Sequence, residues 1–247
     1  MFPIAWITLR RITERSMLIQ FGVLALVLAY VALGMDSLIL SDAGSTEQDG
    51  LMVILLFLTA FTFFWTTMEI PREIERKEAS VYLSKPISRT RYLLGKFIGM
   101  TGMTLGGEAA LLTVFSLCML IKGVRPSSWT LFAAARTALF LVMLNALCCF
   151  ASICLGEVRG LFLVGAVCLI GACICAVPVL AWASFHPATS WGWVIAHYLA
   201  PDLLHYRWEP PPQLRGGYLA DLLIYTAGWC ILLLGFSRTI LVYKDLS

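Results

Sequence analysis

Charged residues are scarce in this chain: 13% of its 247 residues are Asp, Glu, Lys or Arg, and 60% are hydrophobic. A soluble domain averages about 25% charged and about 45–50% apolar residues, so this composition excludes an ordinary water-soluble domain. The mean hydropathy of +0.84 agrees. Nucleic acid is not expected as a partner, because the net charge is only +3. The composition predicts an integral membrane protein of the all-α class, in contact with the lipid bilayer.

The sequence motifs of several enzyme classes are also missing. The chain has no GxxxxGK[ST] loop to hold nucleotide phosphates, because the region around Gly95 and Lys96 lacks the spacing and the Ser or Thr. It has no GxSxG motif, no HExxH motif and no pair of aspartates within an apolar run. These absences argue against a membrane-embedded protease or lipid transferase. We therefore expect that the chain is not an enzyme and binds no cofactor itself.

Cysteine and histidine do not indicate a metal site or a disulfide framework. The eight cysteines lie within or at the ends of apolar runs and form no CxxC pair, as expected of small side chains packed between helices. The histidines are His186, His197 and His205. They fall in a stretch, 186–217, whose aromatic residues are typical of the headgroup interface. Only Asp202 is a nearby carboxylate, so interface histidines without a metal are favoured.

Long apolar runs divide the chain into six predicted spans, each long enough to cross about 30 Å of hydrocarbon as a helix. The runs lie at about 17–35, 51–70, 92–121, 130–155, 159–185 and 219–243. The whole chain, 1–247, then forms a single transmembrane domain, and the stretch 186–217 forms an outer interfacial loop.

The residues before the first span, 2–16, predict an interfacial elbow helix. Phe2 and Trp6 recur at helical spacing, while Arg11 and Arg15 share another face. Such a pattern is typical of a helix that lies along the membrane surface. Basic residues before an apolar run also suit a cleavable signal peptide. No small-residue cleavage site follows, however, so a retained helix is favoured.

The basic residues predict an orientation. With the N-terminus inside, thirteen basic residues lie in cytoplasmic segments and four lie outside. The cytoplasmic ones are Arg10, Arg11, Arg15, Arg72, Arg76, Lys77, Lys85, Arg89, Arg91, Lys96, Arg159, Arg238 and Lys244, and the outer ones are Lys122, Arg125, Arg207 and Arg215. This bias predicts a multi-pass protein of the cytoplasmic (inner) membrane with both termini in the cytoplasm.

The densest group of charges lies between the second and third spans, at 71–90. From Arg72 to Glu78 every residue but one is charged. Glu73 and Lys77 are spaced i,i+4 in the favourable order, which supports a short surface helix. A proline at position 86 ends that helix, and Ser88 is the expected N-cap of the third span. The pattern predicts a polar helix at the membrane surface between two spans.

Three short motifs stand out in this region: Glu75-Arg76, SKPISR at 84–89 and LLGKFIG at 93–99. Together they resemble the cytoplasmic coupling segment of type-2 ABC exporter permeases, and their position between the second and third spans fits that family. Many members carry Gly-Thr after the ER pair, where this chain has Lys77-Glu78. The same permeases begin with an elbow helix. The alternative is a basic cytoplasmic loop of another kind of membrane protein.

The resemblance implies a permease subunit of an exporter, which forms the substrate path and is coupled to a separate ATPase. It implies two ATPase copies, which bind ATP and Mg, and a second permease, either another copy or a sister chain. The residues that it assigns to the ATPase contact are Arg72, Glu73, Glu75, Arg76, Lys77, Glu78, Tyr82, Ser84, Pro86 and Arg89. A secondary carrier or membrane assembly factor without an ATPase partner is the alternative. The substrate is not indicated.

A second, smaller ATPase contact is implied between the fourth and fifth spans. There Glu157 and Arg159 lie between Gly156 and Gly160. Apart from the resemblance, these residues would form only a tight turn between two helices.

Glu108 lies in the middle of the third predicted span, and Arg136 lies in the outer part of the fourth. Such groups are costly in a membrane, so by default they have a buried partner or line a water-filled path. If the two spans are antiparallel neighbours, these residues, which both lie toward the outer half, are candidates for an ion pair or for the lining of a substrate path. The glycines from Gly95 to Gly107 recur at spacings of three and four, which predicts a close approach of another helix, from this protomer or a second one.

Overall fold

A computed structural model describes residues 2–12, 22–23, 27, 43–75, 88–125, 127–176 and 215–243. This part of the chain is helical apart from caps and turns. Its helices are α1 (Phe2–Ile12), α2 (Ala43–Glu75), α3 (Arg89–Ile121), α4 (Ser128–Leu155), α5 (Glu157–Ala176) and α6 (Arg215–Tyr243). Most of the predicted first span, 17–35, and of the predicted outer loop, 186–217, lies outside the described residues.

Four of the described helices, α2, α3, α4 and α6, are long and apolar enough to cross a membrane. They contain the predicted spans 51–70, 92–121, 130–155 and 219–243. Their length and composition make the chain a multi-pass membrane protein. The described part of α5 covers the beginning of the predicted span 159–185, and the remainder of that span lies outside the described residues.

Helix α4 is the centre of the bundle, since it packs against α2, α3, α5 and α6. Every residue from Met143 to Cys149 is buried. An apolar sequence without a polar face permits this, because neighbouring helices cover such a helix on all sides. The chain alternates in direction along the bundle, so α2, α4 and α6 end where α3 and α5 begin. We call this end, which contains Glu75, Ser88 and Gly156, the α2–α3 end.

Two glycines with positive φ end helices at opposite ends of the bundle. Gly123, at φ 79°, follows α3, and its N–H bonds to Leu120 O while the Val124 N–H bonds to Met119 O, the pattern of a Schellman motif. Gly156 ends α4 at φ 82° and ψ −167°, a conformation that is essentially confined to glycine. Because α5 begins at the next residue, the chain reverses direction there in a single residue.

The predicted coupling segment, 71–90, includes the end of α2 and the N-cap of α3. The N-cap is as predicted, whereas the end of α2 is not. Ser88 is the N-cap of α3, and its Oγ accepts a hydrogen bond from the Arg91 N–H at 3.3 Å. The helix α2, however, continues through Pro71 to Glu75. Residues 71–75 therefore extend the second span and do not begin a separate surface helix. The reason lies in the side chain of Glu73, which holds this turn of α2 against α3.

Candidate functional site

Three charged side chains are buried together near the α2–α3 end. Glu69 and Glu73 of α2 are 4% and 3% exposed, and Lys96 of α3 is 2% exposed. Lys96 Nζ lies 2.5 Å from Glu73 Oε1 and 3.7 Å from Glu69 Oε1. The Tyr92 hydroxyl donates a hydrogen bond to Glu73 Oε2 at 2.8 Å. We call these four residues the charge cluster.

The sequence spacing explains how the charge cluster forms. Glu69 and Glu73 are i,i+4 on α2, and Tyr92 and Lys96 are i,i+4 on α3, so each pair lies on one face of its helix. The two faces meet because α2 and α3 are antiparallel neighbours. A buried ion pair is tolerated only where hydrogen bonds compensate for lost hydration, and the removal of one partner typically costs about 3–5 kcal/mol. The cluster therefore fixes α2 to α3.

Arg89 connects the beginning of α3 to the end of α6. Its Nη1 donates to Leu241 O at 2.6 Å and to Val242 O at 2.9 Å. These carbonyls lie in the last turn of α6, where they have no partner within the helix and carry the negative end of the helix dipole. The guanidinium satisfies them. The first turns of α3 are thus held by α2 through the charge cluster and by α6 through Arg89.

The N-terminal helix α1 packs against the same part of α3. Ile4 and Thr8 are buried, whereas Trp6 is 67% exposed. A Cβ atom built on Gly99 would lie 2.9 Å from Thr8 Cβ, so glycine permits this close contact. The predicted glycine stripe thus has a partner at Gly99, and the partner is α1. Gly106 of the same stripe has no neighbouring heavy atom within 4 Å of such a Cβ among the described residues.

One asparagine connects three helices in the interior of the bundle. Asn145 of α4 donates to Thr104 Oγ1 of α3 at 2.9 Å and accepts a hydrogen bond from Thr66 Oγ1 of α2 at 2.8 Å. Its amide also donates to Leu141 O at 3.0 Å. Hydrogen bonds of this kind between membrane helices are each worth about 0.6–2 kcal/mol. These hydrogen bonds join α4 to both α2 and α3 in the interior of the bundle.

The residues assigned to the ATPase contact separate into different environments. Glu75 at the end of α2 and Arg159 at the beginning of α5 are exposed, and Arg72 is half-buried. Glu73 is buried and binds Lys96 and Tyr92 within the bundle, and the guanidinium of Arg89 is bound by α6. Outside the described residues lie Arg76, Lys77, Glu78, Tyr82, Ser84, Pro86 and the side chain of Glu157.

Glu108 and Arg136 form no ion pair in the described part of the chain, which corrects that prediction. The sulfur atoms of Met100 and Cys149 are 3.9 Å apart, which fixes the antiparallel register of α3 and α4. In this register Arg136 lies roughly 7 Å beyond Glu108 along the helix axis, at a rise of 1.5 Å per residue. Glu108 Oε1 is buried and has no hydrogen-bond partner in the described structure, while the Arg136 guanidinium lies 6.0 Å from the Phe132 ring centroid.

Sequence patterns alone do not identify Glu69 and Lys96 as members of a site. Lys96 lies close to the beginning of an apolar run, so it resembles a basic residue of the membrane surface. The useful signal is that Lys96 follows Tyr92 by four residues, while two glutamates with the same spacing end the preceding span. Two such pairs on antiparallel helices predict a buried cluster.

Comparison with known proteins gives this chain no family. A scan against protein-family models finds no match, and a search of curated proteins finds no significant match. In the described residues, no group of three or more His, Cys, Asp or Glu side chains could hold a metal ion. The contacts of the charge cluster join α2 to α3 next to the segment 76–87.

Proposed function

We propose that this chain is the permease subunit of an ABC transporter of the exporter type, driven by a separate ATPase. The observation that carries the proposal is the charge cluster, which holds together the two helices that lead into and out of the segment 76–87. The resemblance of 71–90 to a coupling segment adds the identity of the partner. In this proposal two ATPases bind ATP and Mg, and two permeases form the substrate path between them.

The charge cluster supports coupling because a contact segment transmits force only when its base is rigid. The segment 76–87 begins directly after α2 ends at Glu75, and only Ser88 separates it from the beginning of α3 at Arg89. If the ATPase pushes this segment, the Lys96 ion pairs keep α2 and α3 from separating. The two helices then move as one body, and Asn145 passes the movement to α4.

The turn between α4 and α5 supplies a second exposed surface for the ATPase. Gly160 packs closely on α2, because a Cβ there would lie 3.2 Å from Thr67 Cγ2. The turn therefore lies at the α2–α3 end, where Arg159 is exposed. In our proposal Glu157 and Arg159 make the smaller ATPase contact, next to the one made by 76–87.

The positive-inside rule supports a cytoplasmic location for the α2–α3 end. Arg91, Arg159 and Arg238 are exposed near this end, whereas Lys122 and Arg125 lie at the other end of the bundle. We therefore propose that both termini are cytoplasmic and that the protein lies in the cytoplasmic membrane.

A secondary carrier or a membrane assembly factor is the second candidate, and Glu108 favours the carrier. Its buried Oε1 has no hydrogen-bond partner in the described structure, and ionisable groups inside spans often mark the route of an ion or substrate. A carrier would work without any ATPase. The binding experiment below distinguishes the two candidates.

The decisive experiment is to purify the tagged chain in mild detergent and to identify the proteins that co-purify. We expect an ATP-binding subunit in stoichiometric amount with the wild type. The double variant Glu75→Lys with Arg76→Glu should lose it, because the variant reverses the charge pattern at the end of α2 while the net charge is kept. The control Arg238→Glu changes an exposed charge of α6 and should retain the ATPase. A wild-type chain that purifies alone would favour the second candidate.

A further inference from the structure

A long groove runs along α2 on the side that faces Val23. Its volume is about 590 Å³. Aromatic side chains from Phe57 to Trp65 line most of its length, and Met68 and Arg72 line the part nearest the α2–α3 end. From position 57 to position 72 the helix rises about 22 Å, so the groove is long enough for an extended hydrocarbon chain.

The aromatic part of the groove forms an apolar wall of parallel rings. The rings of Phe57 and Phe61 are 6.2 Å apart between centroids and inclined by 20°. The rings of Phe61 and Trp65 are 6.3 Å apart and inclined by 3°. Three nearly parallel rings, repeated every four residues, therefore form one continuous face along the helix. Such a face fits a flexible aliphatic chain.

Two hydrogen-bond donors lie where the apolar wall ends. Trp65 Nε1 is buried and has no hydrogen-bond partner in the described structure, although a buried Trp N–H usually has one. Arg72 Nη2 donates to Met68 Sδ at 3.4 Å, so the guanidinium folds back by one turn towards Trp65. An indole N–H and then a cation thus follow the apolar rings along the groove towards the α2–α3 end.

We infer that this groove binds an anionic glycerophospholipid of the surrounding bilayer. One acyl chain lies along the rings, an ester carbonyl oxygen accepts the Trp65 N–H, and the phosphate lies beside Arg72. A planar guanidinium matches the oxygen atoms of a phosphate group well. Glu69 also lines the groove; Lys96 Nζ lies 3.7 Å from its carboxylate but is shared with Glu73, so it offsets only part of the Glu69 charge. The inference does not depend on the proposed transport function.

Native mass spectrometry of the full chain, delipidated in detergent, tests this site with two lipids, phosphatidylglycerol and phosphatidylcholine. Trp65→Phe keeps the ring and removes the donor, so it should weaken the binding of both lipids by about threefold to tenfold. Arg72→Gln removes the charge, so it should weaken phosphatidylglycerol by about tenfold or more and abolish the preference for it. The matched controls Trp229→Phe and Arg238→Gln, both on α6, should bind both lipids like the wild type.

The same variants define the results that would overturn the inference. Equal affinities for Trp65→Phe and Trp229→Phe would show that the indole N–H binds no lipid oxygen. An unchanged lipid preference in Arg72→Gln would show that the phosphate lies elsewhere. A second copy of the chain would occupy the groove if the wild type showed a dimer mass and no bound lipid, and if Trp65→Phe lost that dimer. The difference between the wild type and Trp65→Phe in tryptophan quenching by lipids brominated on the acyl chain provides an independent readout in folded protein.

Discussion

Among single residues, Lys96 should be the one whose loss changes stability most, because its buried ammonium lies against both Glu69 and Glu73. In the variant Lys96→Met the two carboxylates remain buried without it. We expect a loss of about 3–5 kcal/mol in the free energy of unfolding, measured by denaturant titration of the purified protein with circular dichroism. The control Arg91→Met, at an exposed position of the same helix, should change it by less than about 0.5 kcal/mol. Similar losses in the two variants would contradict a buried ion pair.

The two glutamates of the charge cluster should differ in importance. Glu73 accepts hydrogen bonds from both Lys96 and Tyr92, whereas Glu69 is 3.7 Å from Lys96 Nζ. A close charged hydrogen bond contributes about 1.5–3 kcal/mol, so Glu73→Gln should destabilise the protein more than Glu69→Gln. Both substitutions remove one charge at nearly equal burial, which makes each the control of the other. Equal unfolding midpoints would show that the hydrogen bonds around Glu73 contribute no more to stability than the contact of Glu69.

At the scale of helices, the contact between α1 and α3 depends on Gly99. In the variant Gly99→Ala the new Cβ would lie 2.9 Å from Thr8 Cβ and 3.0 Å from Ala5 O, so α1 must move away. Overpacking of this kind costs about 1–3 kcal/mol, and it should appear as faster proteolysis within α1. Gly106→Ala is the matched control, because its Cβ has open space and alanine favours a helix by up to about 1 kcal/mol. Equal proteolysis of the two variants would contradict the close contact.

The sequence predicts the helices well because the thickness of the bilayer sets their length. Apolar runs and end signals place four spans and the Ser88 cap correctly. The rotation of each helix is harder to predict, since α3 and α4 are apolar on nearly every side and have no obvious buried face. The sequence places Glu108 and Arg136 only on neighbouring antiparallel spans, and the register of α3 on α4 separates them. The sequence analysis does not predict the charge cluster for the same reason. Lys96 indicates a buried face of α3 only once Glu73 is known to lie opposite it.

For the whole molecule, the orientation in the membrane can be tested by labelling. The positions of Arg125 and Arg159 are exposed and lie at opposite ends of the bundle. In a background without native cysteines, Arg125→Cys should react with a membrane-impermeant maleimide added outside intact cells, and Arg159→Cys should react only after the membrane is opened. The asymmetry of basic residues is the physical reason. Reversed labelling would place the α2–α3 end outside and would exclude a cytoplasmic ATPase contact there.

If the charge cluster transmits force from a bound ATPase, removal of the cluster should abolish the transmitted movement while the ATPase stays bound. In Lys96→Met combined with Glu73→Gln, the exposed residues Glu75 and Arg159 are unchanged, so we expect the ATPase to co-purify in wild-type amount. The nucleotide-dependent change in distance between spin labels at the α2–α3 end and on the opposite end of α4 should fall by more than about half, because α2 and α3 can then separate under load.

The second variant, Asn145→Leu, removes only the hydrogen bonds that join α4 to α2 and α3. It should retain the ATPase and the movement of α2 and α3, and lose only the movement of α4. Loss of the ATPase from the first variant would mean that the cluster shapes the binding surface and does not transmit movement. A nucleotide-dependent change in distance as large as in the wild type would mean that force reaches the bundle by another route.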